Sequence, residues 1–205
     1  VSANGLAGTV SSPTPYTGNI TLSTTIGTSG TPALLKGNGT AISAATAGTD
    51  YVAPGTATTF TAKQTLNGSS STLAAVLANA AETVTISATA AGSTINYDVT
   101  TQSVLYYTTD ASGNWTMNFR ASSGTSLDSA MSTGQSVTVV FLATNGSTAY
   151  YNNAITVDGS SVTPKYQGGI AWTGGNASGI DVYVYTIIKT ASATFTVLAS
   201  QTKFT

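Results

Sequence analysis

The chain has 205 residues, of which only 6% are charged, and its six basic and seven acidic side chains leave a net charge of −1, whereas average globular proteins carry about a quarter charged residues. That balance excludes a basic nucleic-acid-binding face and a polybasic lipid-binding face, so neither nucleic acid nor membrane is expected as a partner. Cysteine and histidine are both absent, which removes disulfides, thiolate chemistry, the commonest metal ligand and the commonest general base.

Hydrophobic residues make up 41% of the chain, and high hydrophobicity with low charge opposes disorder. Polarity comes instead from serine, threonine, glycine and asparagine, which solvate a β surface without charge. A protein with so little charge lacks the self-repulsion that keeps monomers apart, and suits a permanent assembly with copies of itself. No apolar run reaches membrane-spanning length, and no signal-peptide pattern opens the chain. The first residue is Val1, so a longer or processed chain is expected.

Residues 1–62 contain four of the five prolines. Turn signals recur at Asn4-Gly5, Pro13-Thr14-Pro15, Gly30-Thr31-Pro32, Asn38-Gly39 and Pro54-Gly55. Alone, such a segment buries too little to offset the entropy of ordering it. It reads as an extended shaft that orders when several chains wrap one axis, or as a disordered linker.

Residues 63–205 read as a head domain dense with strands. The stretch STLAAVLANAAE (71–82) fits either a helix or a strand, with strand preferred. Strands are then expected at 83–88, 94–99, 103–108, 115–120, 136–144, 147–157, 181–189 and 193–199. Between 126 and 132, a capping serine followed by Gly134 signals a short helix. Short strands at this spacing argue for an antiparallel sandwich of the jelly-roll kind.

The pair Asn145-Gly146 is the preferred sequence for a two-residue type I′ turn. It predicts a hairpin with Phe141 opposite Tyr150 and Val140 opposite Tyr151. Both faces of that hairpin are apolar, as are both faces of 181–189, where Val182, Val184 and Ile188 oppose Tyr183, Tyr185 and Ile187. A sheet with one wet side alternates cleanly. A single sandwich has one inner face, so another copy of the chain is expected to cover the outer one. Tyr150, Tyr151, Tyr183, Tyr185 and Ile187 are the candidate oligomer-interface residues.

Two parts of the sequence carry a resemblance. LLKGNGTAISAATAGTDYVAPG (34–55) resembles a connector that recurs in phage tail-fibre and related appendage proteins. TINYDVTTQSVLYYT with NWTMNFR, and the stretch from SVTPKYQGG to the carboxyl end, resemble a C-terminal β head domain of virion structural proteins from tailed phages, including those infecting cyanobacteria. The similarity covers roughly residues 34–205 and rests on extended likeness rather than a short motif. It implies a homotrimeric β fibre and head at the virion surface, with other virion proteins as partners, and supplies no catalytic residue.

The acidic residues are Asp50, Glu82, Asp98, Asp110, Asp128, Asp158 and Asp181. Glycoside hydrolysis needs two carboxyl groups about 5 to 9.5 Å apart. No two of these are close in sequence, although folding can bring Asp98 and Asp181 together. They read as turn formers and surface charges. No histidine is present to activate a serine, and no calcium loop appears, so neither an enzyme nor a metal or cofactor site is expected.

One stretch invites a ligand reading. In YQGGIAWTGGNASGID, Tyr166, Trp172, Asn176 and Asp181 offer aromatic platforms with polar neighbours, the chemistry that grips a host surface polysaccharide. The same aromatics also pack well at subunit contacts. The expectation is therefore an all-β, homotrimeric virion appendage: an N-terminal shaft or linker and a β-sandwich head, in a tail fibre or similar fibre that can adhere to host glycans. A capsid decoration or neck or collar protein without ligand, and a bacterial surface adhesin or S-layer-like protein, are the alternatives.

Overall fold

Strands make up nearly all the regular structure in the computed structural model. It describes residues 35–37, 42–45, 60, 63–66, 68–78 and 80–205. The chain divides into two units, Val1–Val76 and Leu77–Thr205, against the boundary at 62/63 expected from sequence. In the first, β1 (Leu35–Gly37) pairs antiparallel with β2 (Ile42–Ala44). Apart from this pair, Ala45 and Phe60, the shaft expected over 1–62 lies outside the described residues. The strand expected at 71–82 does not form among its described residues, which hold only a lone bridge from Ser69 to Thr72. Leu73, Val76 and Leu77 stay exposed, and among the described residues no strand lies beside the segment to share its backbone hydrogen bonds, without which extending gains little.

The second unit is built from two sheets. The larger runs β10 (Lys165–Tyr166), β12 (Thr194–Phe204), β11 (Ile180–Ala191), β7 (Ser136–Thr144), β5 (Val104–Thr109), β3 (Val84–Ala90). The smaller runs β4 (Ser93–Asp98), β6 (Trp115–Arg120), β8 (Asn152–Val157), β9 (Ser160–Ser161). From β3 to β8 each successive strand switches sheet. The pairings β3–β5, β5–β7, β4–β6 and β6–β8 are consequently parallel.

This corrects the expectation of an antiparallel sandwich, which holds only for β7–β11, β11–β12 and β8–β9 in this unit. Parallel neighbours need a crossover of about a dozen residues. Here each crossover is itself a strand of the opposite sheet. The result is a short two-sided β coil closed at one end by an antiparallel meander.

The Asn145-Gly146 hairpin is a second correction. Strand β7 pairs with β5 and β11, while β8 lies in the other sheet beside β6. Phe141 therefore faces Tyr183 and Leu105 across the ladder rather than Tyr150. A type I′ turn needs positive φ at both central residues, and neither Asn145 nor Gly146 has it. Asp158-Gly159 does, with φ of 50° and 81°, and forms the tight β8–β9 hairpin.

The two sheets pack through aromatic rings. Trp115 of the smaller sheet meets Phe141 and Tyr183 of the larger edge-on, at 5.8 and 5.6 Å between centroids. Phe119 meets Tyr185 at 4.9 Å. Such geometries are favoured by the ring quadrupole, beyond the area they bury. Tyr97 spans the layers, donating its hydroxyl to the carbonyls of Ser103 and Val140 at 2.7 and 3.1 Å.

The expected short helix is present as α1 (Leu127–Ala130), capped by Ser126. Asp158 accepts hydrogen bonds from the N–H groups of Leu127 and Asp128, at 2.6 and 2.9 Å. At the other end the Lys189 ammonium donates to the carbonyls of Asp128 and Met131 and pairs with the Asp128 carboxylate at 2.7 Å.

Candidate functional site

The aromatic loop enters from β10, which lies parallel to β12 with Tyr166 beside Ala199. A 3-10 turn over Gln167–Gly169 follows, in which Gly168 and Gly169 adopt φ of 72° and 76°, a region that disfavours any side chain. The chain then folds back, and Trp172 lands between Tyr166 and Tyr183, at 4.7 and 5.3 Å. Its indole N–H donates to the backbone carbonyl of Asn152. Both ring neighbours and the polar handle of Trp172 thus belong to the chain itself.

Asp181, the second residue of β11, is fully buried. Its Oδ2 accepts from the Asn145 amide at 3.1 Å, the Asn176 backbone N–H at 3.0 Å, the Gln201 amide at 3.3 Å and the Tyr183 hydroxyl at 3.4 Å. Oδ1 has no partner. Burial pushes the Asp181 carboxyl above its ordinary range, a rise that the Asn176 N–H and the Lys203 charge partly oppose. Removing the charged form from water is costly, and the donors around Oδ2 offset only part of that cost. A β-carbon on Gly175 would stand 2.6 Å from Oδ2 and closer still to the Tyr150 carbonyl, so only glycine lets the loop pass this carboxylate.

Asn145 and Asn152 are the functional-looking residues that sequence reasoning missed. Asn145, 2% exposed, donates to the Tyr150 carbonyl and accepts from the Tyr150 N–H, so one side chain closes the whole arch between β7 and β8. Asn152, 1% exposed, donates to the carbonyls of Trp115 and Ala154 and accepts from the Tyr185 hydroxyl. A buried amide must find such partners or cost stability. Its only sequence signal was an asparagine adjoining apolar strand residues, which also fits a turn.

Of the four proposed glycan contacts, the structure brings Tyr166 and Trp172 together and leaves both half-buried. It spends Asn176 on the Phe204 carbonyl, at 2.9 Å. Asp181 is corrected: it is sealed beneath the loop and presents no oxygen to solvent. The part of Trp172 still open lines a depression of about 380 Å³ with Gln167, Ile170 and Gln201.

The oligomer-interface set is corrected too. Tyr183, Tyr185 and Ile187 lie in the chain's own core, fully buried, because β11 turns its odd-numbered residues toward the smaller sheet. Tyr150 and Tyr151 sit half-buried in the arch.

Three of the carboxylates serve in ion pairs or at a helix cap. Asp98 pairs with Arg120 at 2.5 Å, Asp128 with Lys189, and Asp158 caps α1. Asp98 and Asp181 therefore have separate partners. Among the described residues no cluster of three acidic side chains is able to hold a metal ion. Compared with known proteins, the chain matches no family model, no curated protein and no solved structure.

Proposed function

We propose that the chain is a structural component of a tailed-phage virion appendage, a tail fibre or similar fibre, in which the two-sheet unit is displayed at the particle surface. The observation that carries this reading is how the aromatic loop is used. Trp172, Asn176 and Asp181 all bind the chain itself, so the groups best suited to chemistry hold architecture instead. The very low charge supports a permanent, oligomeric role in the particle. Antibodies raised against the full chain should decorate fibres on intact particles grown from the genome that encodes it. Labelling confined to the host cell surface would overturn the reading in favour of an adhesin; labelling confined to the capsid shell or neck would move the chain there.

One observation favours reversible adhesion as an added role. Trp172 keeps part of its ring open in a depression that Gln167 and the apolar Ile170 also line, and a ring edged by an amide suits the apolar face and hydroxyls of a sugar. Host polysaccharide should then bind the wild type and fail to bind Trp172→Ala. Equal binding by both proteins would remove this role.

A further inference from the structure

We propose that the outward face of the six-stranded sheet is an interface between copies of this chain, an inference that rests on the structural role above and names its partner. The ladder registers place the outward residues in rows. One row runs Val84, Val104, Val140, Val184, Ser200. The next runs Ile86, Tyr106, Leu142, Val182, Thr202, and a third holds Thr138, Thr186 and Leu198. Each alternates with the inward residues Val139, Phe141, Tyr183 and Tyr185, which the core buries completely. The outward side chains are reached by solvent: Val184 and Leu142 are half-buried, Leu198 is 44% exposed and Ile86 68%.

A wet sheet face normally alternates polar residues into such positions and protects itself with charges. Here the one charged residue in register with the rows is Lys165, on the short edge strand β10. Three of the polar side chains in the rows, Thr138, Thr186 and Tyr106, are already paired within the sheet. Thr138 and Thr186 hydroxyls share a hydrogen bond at 3.0 Å, and the Thr144 hydroxyl donates to Tyr106 at 3.4 Å. Hydroxyls bonded to each other lose little when a second surface covers them.

Size and charge together name the occupant. Five long strands at about 4.8 Å spacing span about 24 Å. Strand β7, with 9 residues, runs about 30 Å at ~3.3 Å per residue. The footprint is therefore about 700 Å² at most, close to the ~800 Å² that each partner contributes to a standard interface. A face whose one charge in register with the rows is Lys165, at its edge, offers little for a strongly charged partner to read. The matching surface, largely apolar, with few charges and of equal area, is the same face on another copy, and sheet-on-sheet packing about 10 Å apart is the ordinary way for two such faces to meet.

The test is sedimentation velocity of the full chain at micromolar concentration, with far-ultraviolet circular dichroism to follow the fold. The wild type should sediment as an oligomer. Val184→Lys should keep the β spectrum and weaken association at least 100-fold. Thr138→Lys, at a position exposed in the single chain, should do the same, and decides the matter if Val184→Lys fails to fold. Thr94→Lys, at an exposed position of the smaller sheet, should leave the oligomer intact. A monomeric wild type overturns the interface, as does a folded Thr138→Lys protein that sediments like the wild type. A monomeric chain that antibodies still locate on fibres would sink this interface and leave the structural role standing.

Discussion

Substituting Asn145 with alanine removes three hydrogen bonds from a position that is 2% exposed. At a net value of about 1 kcal/mol each, with extra cost for leaving the Tyr150 N–H and carbonyl without that partner, the loss is about 2–4 kcal/mol. For a unit of this size that lowers Tm by about 10 °C. Asn145→Gly sharpens the test. In a type I′ hairpin glycine suits the first central position and costs only tenths of a kcal/mol. In the arch it loses the same three bonds and adds the backbone entropy of glycine, so it should cost at least as much as alanine. The assay is guanidinium unfolding followed by tryptophan fluorescence, at one fixed protein concentration because association contributes to stability. If Asn145→Gly unfolds within about 0.5 kcal/mol of wild type, a margin typical of unimportant surface sites, the arch and its amide clamp are wrong.

Three further outcomes follow from the same geometry. Because burial raises the Asp181 carboxyl, the native state favours its protonated form; that contribution is complete below the unfolded pKa and fades as pH rises through the native one. Asp181→Asn should therefore flatten the decline in stability above about pH 4, read as Tm against pH; an unchanged slope would contradict it. Lys189→Met strips the carbonyls of Asp128 in α1 and of Met131 just beyond it of their donor and should cost about 2 kcal/mol. The hydrogen bond from Lys189 also holds the Asp128 carboxyl below its usual range, a contribution present above the unfolded pKa and lost as pH falls through the native one, so this variant should lose less stability on acidification than wild type. Trp115→Phe should cost about 1 kcal/mol, against about 3–5 for Trp115→Ala, because the indole N–H it removes has no partner in the native state; equal losses for the two would show that volume is not the issue.

Strand positions were legible because β-branched and aromatic residues between turn signals declare themselves locally. Trp115–Arg120 and Ser136–Thr144 form over the expected residues, and the alternation along β11 separated Tyr183, Tyr185 and Ile187 from Val182, Val184 and Ile188 correctly. Which side faced in was not legible, since both are apolar, and the larger rings took the core while the valines were left outside. Pairing was hidden for a related reason. A short turn between two strands looks the same whether they hydrogen-bond as a hairpin or stack in different sheets as an arch. Asn145-Gly146 carries the strongest hairpin signal in the chain, but tertiary contacts to Tyr150 and Asp181 override it. At the candidate site, Tyr166 and Trp172 stood out as aromatics in a glycine-rich loop, whereas the burial of Asp181 depends on Gln201 and Asn145, far from it in sequence.

The account depends on consecutive strands alternating between two sheets, and backbone NOEs measured on the isotopically labelled chain address that directly. Cross-strand contacts should link Leu105 with Phe141 and Met117 with Ile155, the parallel partners, with none between Phe141 and Tyr150. Strong antiparallel Hα–Hα contacts across Asn145-Gly146, joining Phe141 to Tyr150, would contradict the fold and dissolve the outward face on which the proposed assembly rests.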